Sequence, residues 1–366
     1  MTRATGLRVA LLTGSYPPEP CGVGDYTRHL VQHLTSRDGM TVEAWVGTAW
    51  PGDQDPRIRR VFNPSWWTTL NNIWSALRAF RPHVIHIQYP TQGYGRRLLP
   101  WILPLLLRLR AVRIVATWHE YFSEWLPRAL PSALVASAVI VVRPGYRERL
   151  RITTRLVLGR GRILMVPNAS AIPRVVHDER SREELRHQAG CGRRRLIAYF
   201  GFAYPAKGVH LLFDLLDPER EMLVLIGRLE PDDPYQRSLL DRCAEPRWRD
   251  AIYRAGWQPE AAVGAWLAAA DAVVLPFTAG GGVWNSSMNA AVMQGTFVLT
   301  TAIEGRGYEP QTNTYFAVPG DLQEMRLALD RHAGVRLPTV PPGLAEWPAI
   351  AEQHHGIYRN VMGMGA

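Results

Sequence analysis

The only lysine of the chain, Lys207, lies in the segment GFAYPAKGVHLL, between a predicted strand and a predicted helix. The other 41 of the 42 lysine and arginine residues are arginine. A compact ammonium group beside the N-terminus of a helix suits a diphosphate, whereas the longer guanidinium of arginine would not fit a tight pocket. We therefore interpret Lys207 as a phosphate-binding residue. The alternative is that a single surface lysine has survived by chance.

Two glycine-rich loops could present backbone N–H groups to the same kind of ligand. One follows a predicted strand in PFTAGGGVWNSSMNAAVMQG, and its candidate residues are Gly281, Gly282, Val283 and the helix-capping Asn285, Ser286 and Ser287. The other, in LLTGSYPPEPCGVGDYTRHL, contains Gly22, Val23 and Gly24 before a helix predicted to start near Asp25. The second of these loops is not a GxGxxG motif, and no acidic residue ends the next predicted strand, so a nicotinamide cofactor is not expected. The alternative for each loop is an ordinary turn.

A histidine and a glutamate end another predicted strand, in the segment ATWHEYF. His119 is the histidine and Glu120 follows it. A side chain at the carboxyl end of a buried parallel strand is expected to reach a ligand-binding cleft, although a structural role for a lone histidine stays open. The sequence contains no HExxH motif, Walker loop or Gly-x-Ser-x-Gly elbow, and we predict no metal site.

Short apolar runs alternate with helix-length amphipathic segments along the chain. The runs occupy residues 8–14, 41–47, 83–88, 113–119, 138–142 and 163–167, and then 196–201, 222–227, 252–257, 272–277 and 296–301. Runs rich in Val, Ile and Leu are typical of strands covered on both faces, and their alternation with helices indicates parallel βαβ units. The rhythm breaks at about residues 167–180, which we interpret as a linker. We therefore predict an α/β protein of two tandem Rossmann-like, doubly wound domains with an interdomain cleft.

The longest apolar stretch runs from Leu98 to Trp118 and is a poor candidate for a transmembrane helix. Pro100 and Pro104 interrupt it, and arginines charge its second half. It predicts a core helix followed by a buried strand. An amphipathic helix resting on a membrane is the less favoured interpretation.

The composition and charge of the chain limit which partners and which cellular compartment are expected. The 366-residue length suits two domains, and the three cysteines are far apart in the sequence, as expected for a cytoplasmic protein without disulfides. Residues 1–180 carry a formal charge of +13 and the remainder −3. This basic half suggests an acidic partner: nucleic acid, an anionic membrane at the inner face, or a phosphorylated acceptor. The alternative is an arginine-rich surface without a dedicated partner.

Eight segments, taken in order, resemble GT-B glycosyltransferases, specifically glycosyltransferase family 4. They are GVGDYTRHL, HIQYPTQGYGRR, TWHEYF, VPN, FGFAYPAKG, AGW…LAAADAVVLPF, QGTFVLTT and the C-terminal EWPAIAEQHHGIYRNV. The resemblance implies an N-terminal acceptor-side domain of residues 1–172 with a crossing C-terminal helix of residues 347–366. It implies a nucleotide-sugar-binding domain of residues 173–346.

The resemblance also implies transfer of a sugar from a nucleotide-diphosphate donor to a hydroxyl group of a polysaccharide, glycolipid or natural product. Transfer is expected with retention, without a metal and without a cofactor other than the donor. Lys207 would hold the donor diphosphate, and His119 would contact the transferred sugar. The Gly22–Gly24 loop would lie between donor phosphates and acceptor. On its position in a loop alone, Arg228 is a further candidate for donor binding. The residues expected on the acceptor side are Asp25, Tyr26, Gln88, Tyr89, Tyr94 and Glu120.

The sequence departs from the family pattern at three positions. Phe202 stands where an arginine is usual, and Gly282 and Ala290 occupy the places of two glutamates. A bacterial branch of the family resembles this chain in lacking that pair. Arg228 and Arg306 are candidates to replace the lost positive charge. The departures keep open an inactive homologue that serves as a binding or partner subunit. No nucleic-acid partner is expected, because the chain contains no recognised nucleic-acid-binding module.

Overall fold

The computed structural model of the chain describes residues 6–19, 21–47, 55–110, 112–121, 126–150, 152–159, 161–175, 179–282, 284–341 and 343–364. The chain divides into two compact units. One comprises Met1–Asn168 together with Ala345–Ala366, and the other comprises Ala169–Leu344.

The described residues of the N-terminal unit form a seven-stranded parallel sheet in the order β3-β2-β1-β4-β5-β6-β7. The strands are β1 (Leu7–Leu12), β2 (Met40–Gly47), β3 (Ile58–Phe62), β4 (Val84–Tyr89), β5 (Arg113–Trp118), β6 (Ala138–Val141) and β7 (Ile163–Met165). The helices are α1 (Gly22–Thr35), α2 (Trp66–Phe80), α3 (Leu99–Arg108), α4 (Leu126–Val135), α5 (Tyr146–Arg149) and α6 (Ile152–Leu158). The strand order reverses between β1 and β4, where parallel α/β sheets bind ligands.

The C-terminal unit repeats this architecture in its described residues, with the order β10-β9-β8-β11-β12-β14-β13. Its strands are β8 (Arg195–Phe200), β9 (Glu221–Ile226), β10 (Ile252–Gly256), β11 (Ala272–Leu275), β12 (Val298–Thr301), β13 (Gly307–Glu309) and β14 (Thr314–Ala317). Strand β13 is antiparallel to β14. The helices are α7 (Glu179–Gln188), α8 (Leu212–Leu215), α9 (Pro234–Ala244), α10 (Glu260–Ala269), α11 (Ser286–Met293) and α12 (Leu322–His332). The order reverses between β8 and β11.

The predicted strands are confirmed, and the strands without a prediction lie at or near sheet edges. Each of the eleven apolar runs coincides with a strand of one of the two sheets. The stretch from Leu98 to Trp118 forms helix α3 and buried strand β5, as predicted. Strands β3 and β13 lie at sheet edges, where part of a strand faces solvent, and the short strand β14 lies beside β13. Among the described residues, every helix is too short or too polar to span a bilayer.

The last helix, α13 (Trp347–Val361), belongs to the N-terminal unit and packs against α1. The Trp347 ring lies 5.1 Å from the rings of Tyr26 and His29, between ring centroids. The buried Tyr358 hydroxyl lies 2.7 Å from Nδ1 of His86 on β4. The C-terminal helix is therefore attached to the N-terminal sheet by ring stacking and by a buried hydrogen bond.

We expect Tyr358→Phe to lower the free energy of unfolding of the N-terminal unit by about 1–3 kcal/mol, because it leaves a buried ring nitrogen of His86 without a partner. Chemical denaturation followed by circular dichroism measures this change. Tyr121→Phe is the matched control, since it removes a hydroxyl whose bond to the Pro144 carbonyl is solvent-exposed. Equal losses in the two variants would contradict a special role for the buried bond.

Candidate functional site

In the C-terminal unit, Lys207 lies on a tight turn directly after β8. It ends a 3-10 turn (Pro205–Lys207), and its Nζ lies 4.7 Å from the centroid of the Phe277 ring. A second 3-10 turn (Val209–Leu211) separates it from α8. Gly208 adopts a left-handed conformation, and the helical segment after it begins as this 3-10 turn and continues as α8 from Leu212. The ammonium group and the aromatic face form a cation–π contact that holds the lysine in place.

Gly208 permits the Lys207 turn to touch the end of β11. Its φ is +67°, and a Cβ atom there would lie 1.9 Å from the carbonyl oxygen of Pro276. The neighbouring Thr278 N–H donates a 3.1 Å hydrogen bond to the Ala206 carbonyl. Only glycine fits this conformation and this distance. The segment AKG therefore fastens the loop after β8 to the loop after β11.

Glycines at the ends of β8 and β9 bring these two strand ends together and place the end of β8 against the start of α11. A Cβ atom on Gly201 would lie 2.9 Å from Oγ of Ser287, and one on Gly227 would lie 2.5 Å from the carbonyl oxygen of Gly201. Both glycines have positive φ values. Ser287 is thus brought next to the strand end that precedes Lys207, and the loops after β8, β9 and β11 converge.

The glycine loop after β11 is packed under aromatic rings. The Gly281 N–H donates a 2.6 Å hydrogen bond to the Thr301 carbonyl, and a Cβ atom on Gly281 would lie 2.3 Å from the Phe277 ring. A Cβ atom on Gly282 would lie 2.1 Å from the Trp284 ring. The loop is therefore closely packed: a Cβ atom on Gly281 would displace the buried Phe277 ring, whereas one on Gly282 would displace the outer edge of the half-buried Trp284 ring. Val283 lies outside the described residues.

Asn285 is the N-cap of α11, as the sequence predicts. Its Oδ1 accepts hydrogen bonds from the N–H groups of Ser287 at 3.0 Å and Met288 at 3.4 Å. An anion at this helix start would compete with the Asn285 side chain for the same donors. Ser286 is exposed. An anionic ligand at these loops would therefore interact chiefly with Lys207, and less with the N–H groups at the start of α11.

Arg228 and Arg306, the two candidates to replace the missing positive charge at position 202, lie in different loops of the C-terminal unit. Arg228 is exposed, and its Nε lies 2.7 Å from Oε1 of Glu230. A ligand at Arg228 would therefore share it with that carboxylate, and donor binding by Arg228 stays a prediction. Arg306 is exposed in the segment between β12 and β13.

The positions that depart from the family pattern are occupied by packed residues. The Phe202 ring stacks on Tyr204, with ring centroids 6.0 Å apart. Ala290 is fully buried in the core of the C-terminal unit, and Gly282 is buried beside Trp284. A carboxylate at position 290 would be buried in this apolar core. The structure thus accommodates the departures by packing.

In the N-terminal unit, the loops after β1 and β4 are joined by reciprocal hydrogen bonds. The Gly14 N–H donates to Oγ1 of Thr91 at 2.9 Å, and the Gly93 N–H donates to Oγ of Ser15 at 2.7 Å. A Cβ atom on Gly93 would lie 2.0 Å from the Gly14 carbonyl oxygen. These contacts bring the two strand ends together at the point where the strand order reverses.

The glycines at the start of α1 have different roles. Gly24 lies against the β1 loop, since a Cβ atom there would be 2.9 Å from the Ser15 carbonyl oxygen. Gly22 is exposed, and a Cβ atom there would meet no described atom within 4 Å. Val23 and Asp25 are half-buried. Among the described residues, no side chain caps this helix start, which leaves it more accessible to an anion than the start of α11.

His119 follows β5 and is nearly buried, with 8% of its surface exposed. Its Nε2 lies 2.9 Å from Oε1 of Gln88, and its backbone N–H donates to the Tyr89 carbonyl at 2.8 Å. The Tyr26 ring packs edge-on against it, with centroids 4.8 Å apart. Burial, reinforced by nearby His354 and Arg143, lowers the pKa of His119 to about 3. The imidazole is therefore neutral at physiological pH.

A buried network determines which nitrogen of His119 carries the proton. Nε2 of the Gln88 amide lies 3.3 Å from Nε2 of His86, and Nδ1 of His86 lies 2.7 Å from the Tyr358 hydroxyl. Because an amide nitrogen can only donate, Nε2 of Gln88 donates to His86, and the amide oxygen Oε1 faces His119. This oxygen can only accept, so it accepts a hydrogen bond from Nε2–H of His119. Burial also lowers the pKa of His86 well below its usual value, which keeps that ring neutral and able to accept. Nδ1 of His119, which no described residue hydrogen-bonds, keeps its lone pair.

The other residues predicted on the acceptor side are divided between core and surface. Tyr89 and Tyr94 are fully buried, and their hydroxyls donate to the carbonyls of Pro100 at 2.6 Å and Leu12 at 3.4 Å. Tyr26 is buried with its hydroxyl 3.2 Å from Nε2 of His354. These hydroxyls are already engaged inside the unit. Acceptor binding by the three tyrosines stays a prediction.

Glu120 is the exposed member of this group. Its carboxylate forms an ion pair with Arg143, whose Nε donates to the His119 carbonyl at 3.2 Å. Its own carbonyl accepts from the Tyr146 hydroxyl at 2.6 Å. Arg143 and Tyr146 thus hold the backbone of residues 119 and 120. Acceptor contact by the exposed Glu120 carboxylate stays a prediction.

The sequence interpretation missed the residues that support the candidate ones. Phe277 beneath Lys207, and His86 and Tyr358 behind His119, were not singled out. A signal existed on the strands: His86 and Gln88 are two residues apart, so they face the same side of β4. Gln88 also pairs with Thr117 in register with β5. Tyr358 had no comparable signal, because its partner is 272 residues away.

No family model and no curated protein matches the sequence. Solved structures match the fold over nearly the whole chain. Sucrose-phosphate synthase from Thermosynechococcus elongatus is similar with a TM-score of 0.77 and 19% identity, covering 98% of this chain and 100% of that one. Anabaena Alr3699/HepE in complex with UDP-glucose has a TM-score of 0.69 and 16% identity, covering 98% and 99%. WaaG, a glycosyltransferase involved in lipopolysaccharide biosynthesis, has a TM-score of 0.65 and 15% identity, covering 97% and 98%.

These likenesses establish the fold. The chain has the two-domain α/β architecture of the GT-B fold, as the sequence resemblance predicted. The interdomain cleft and the assignment to family 4 stay predictions.

We expect Gly208→Ala to destabilise the C-terminal unit by about 2–4 kcal/mol, since it adds a Cβ atom against the Pro276 carbonyl and strains a left-handed backbone. Gly192→Ala is the matched control: its φ of +57° is similar, and a Cβ atom there meets no described atom within 4 Å. The control should lose only about 1–2 kcal/mol. Denaturant unfolding compares the two, and equal losses would contradict the close approach.

We expect His119 to be a neutral Nε2–H tautomer from about pH 5 to about pH 8, because burial lowers its pKa and Gln88 accepts its proton. NMR of ring-labelled histidine detects the tautomer, and His119→Gln identifies the signal. Gln88→Leu should mix the tautomers, whereas Gln32→Leu, on the exposed side of α1, should leave the signal unchanged. A charged ring or an Nδ1–H tautomer in the wild type would refute the network.

Proposed function

We propose that this protein is a glycosyltransferase of family 4 that moves a sugar from a nucleotide-diphosphate donor to a hydroxyl acceptor. The observation that carries the proposal is the cluster at the carboxyl ends of β8, β9 and β11. There Lys207 lies over the Phe277 ring, against which Gly281 also packs, and its turn is bonded to the loop after β11. Structures of the same fold support it: HepE was solved with UDP and with UDP-glucose, and Arabidopsis starch synthase IV with ADP and acarbose.

Lys207 supplies the charge that a leaving nucleoside diphosphate requires. As the bond from the sugar to the diphosphate breaks, negative charge accumulates on the phosphate oxygens. A fixed ammonium group stabilises that charge more in the transition state than in the bound donor. The contact with Phe277 and the close packing of Gly208 against Pro276 position the ammonium group before the ligand arrives. Retention of configuration and independence of metal ions follow from the family resemblance.

His119 has the properties of a sugar-contacting residue. A neutral imidazole whose Nε2–H is held by Gln88 presents Nδ1 as an acceptor for a sugar hydroxyl. Its low pKa keeps that acceptor available throughout the neutral range. In this proposal His119 orients the sugar through a hydrogen bond and does not serve as a proton donor.

A second candidate function is an inactive homologue that acts as a binding or partner subunit. The buried Ala290 and the apolar Phe202 favour it, since both positions carry charged residues in the family pattern. Nucleotide binding separates the two candidates, because an inactive subunit has no need to retain a donor site.

We expect calorimetry with UDP, GDP, ADP and TDP, and with matching sugar nucleotides, to show binding of one nucleotide by the wild type. Lys207→Ala should weaken it roughly ten- to a hundredfold, the effect of losing a charged hydrogen bond. Arg249→Ala, an exposed cation at the amino end of β10, is the matched control and should bind normally. Unchanged affinity in Lys207→Ala would remove the diphosphate assignment.

His119→Ala provides the contrasting result. It should lower sugar transfer while leaving binding of the free nucleotide close to normal, because His119 contacts the sugar in this proposal. Loss of nucleotide affinity alone would contradict that role. If the folded wild type binds none of the nucleotides, the inactive subunit becomes the better interpretation.

A further inference from the structure

Three helices of the N-terminal unit expose apolar side chains in a regular pattern. Each carries, on the helix or directly after it, a pair of apolar residues four positions apart: Leu105 and Leu109, Leu130 and Leu134, and Ile152 and Leu156. These six side chains are between 40% and 82% exposed. Because residues four apart lie on one side of a helix, α3, α4 and α6 each present an apolar strip to solvent.

The three strips lie on one continuous surface. Helices α3, α4 and α6 connect β4 to β5, β5 to β6 and β6 to β7, which are consecutive parallel strands of the sheet. Right-handed crossovers in one direction place such helices on the same face. Consistently, α3 packs against α4, and α4 packs against α6. We call their outward-facing surface the α3–α4–α6 face.

The exposed apolar side chains are not needed for the core. The inward sides of the same helices already supply buried residues, such as Leu103 and Leu107 on α3 and Ala133 on α4. A core-facing helix usually carries polar residues on its outer side. Apolar side chains repeated on three adjacent outer surfaces therefore indicate a surface that meets an apolar partner.

The same region carries the positive charge of the protein. Residues 96–162 contain thirteen arginines and three carboxylates, a formal charge of +10, which equals that of the whole chain. Arg108, Arg110 and Arg113 are exposed beside the α3 strip. Arg155 and Arg162 are half-buried, and their guanidinium groups donate to backbone carbonyls. The α3 strip thus lies beside exposed guanidinium groups, in a region of high positive charge.

We propose that the α3–α4–α6 face docks on the surface of an anionic lipid bilayer. The leucine and isoleucine side chains enter the boundary between headgroups and acyl chains, while the arginines bind lipid phosphates. A nucleic acid or a soluble phosphorylated molecule would use the arginines and leave the aliphatic side chains in water. A second copy of the chain would place the same positive face against itself, which like charges oppose.

Vesicle co-sedimentation tests this proposal without reference to sugar transfer. The full chain should sediment with vesicles of phosphatidylcholine and phosphatidylglycerol mixed at about 3:1, and much less with phosphatidylcholine alone. Added salt at about 0.5 M should weaken the binding, because it screens the arginines. Nucleotide calorimetry on the same sample is independent, so failure here leaves the proposed transfer activity intact.

Two pairs of substitutions separate the apolar and the charged contributions. Leu109→Gln with Leu156→Gln should lower the vesicle partition coefficient at least about tenfold. Arg108→Gln with Arg110→Gln should lower it by roughly thirtyfold, from about 1 kcal/mol for each cation. Leu327→Gln with Val335→Gln is the matched control, since both residues are exposed in the C-terminal unit. It should bind like the wild type.

Three results would overturn the proposal. The folded wild type could fail to sediment with anionic vesicles at low salt. Binding could be unaffected by the leucine substitutions, which would show that the face does not enter the bilayer. Light scattering without vesicles could reveal a wild-type dimer that Leu109→Gln with Leu156→Gln dissociates, which would assign the face to a second copy.

Discussion

Close approach of one backbone to another at the carboxyl ends of the parallel strands is the constraint on which both units depend. Parallel strands leave the sheet at the same edge, so the loops that follow them crowd together. Contact between main chains is closer than a Cβ atom allows, and glycine is the residue that permits it. The pairs are Gly24 with Ser15, Gly93 with Gly14, Gly208 with Pro276, and Gly227 with Gly201.

On this shared framework the two units offer different chemistry. The N-terminal unit encloses neutral, hydrogen-bonded groups around His119, in surroundings where burial suppresses charge. The C-terminal unit presents a cation, Lys207, on a half-buried turn above an aromatic ring. A neutral acceptor suits a hydroxyl-rich sugar and a fixed cation suits a diphosphate.

The C-terminal helix supports the N-terminal site from behind. Tyr358 on α13 closes the chain of hydrogen bonds that runs through His86 and Gln88 to His119. His354 on the same helix meets the hydroxyl of Tyr26, whose ring packs on His119. Residues far apart in sequence therefore hold one imidazole in one orientation and one tautomer. A buried network of this kind requires every member to be satisfied.

The local pattern of the sequence was enough to predict the fold class, the eleven strands with apolar runs and the loops that carry the candidate site residues, whose roles stay predictions. Strands covered on both faces must be apolar throughout, and loops at strand ends must carry the polar residues, so a local pattern reveals both. Only the tertiary structure decided how those residues are used. Arg228 pairs with Glu230, Asn285 caps its own helix, and Tyr89 donates to a core carbonyl. These outcomes depend on which atoms folding brings within hydrogen-bonding distance, and a distance between residues remote in sequence leaves no local pattern.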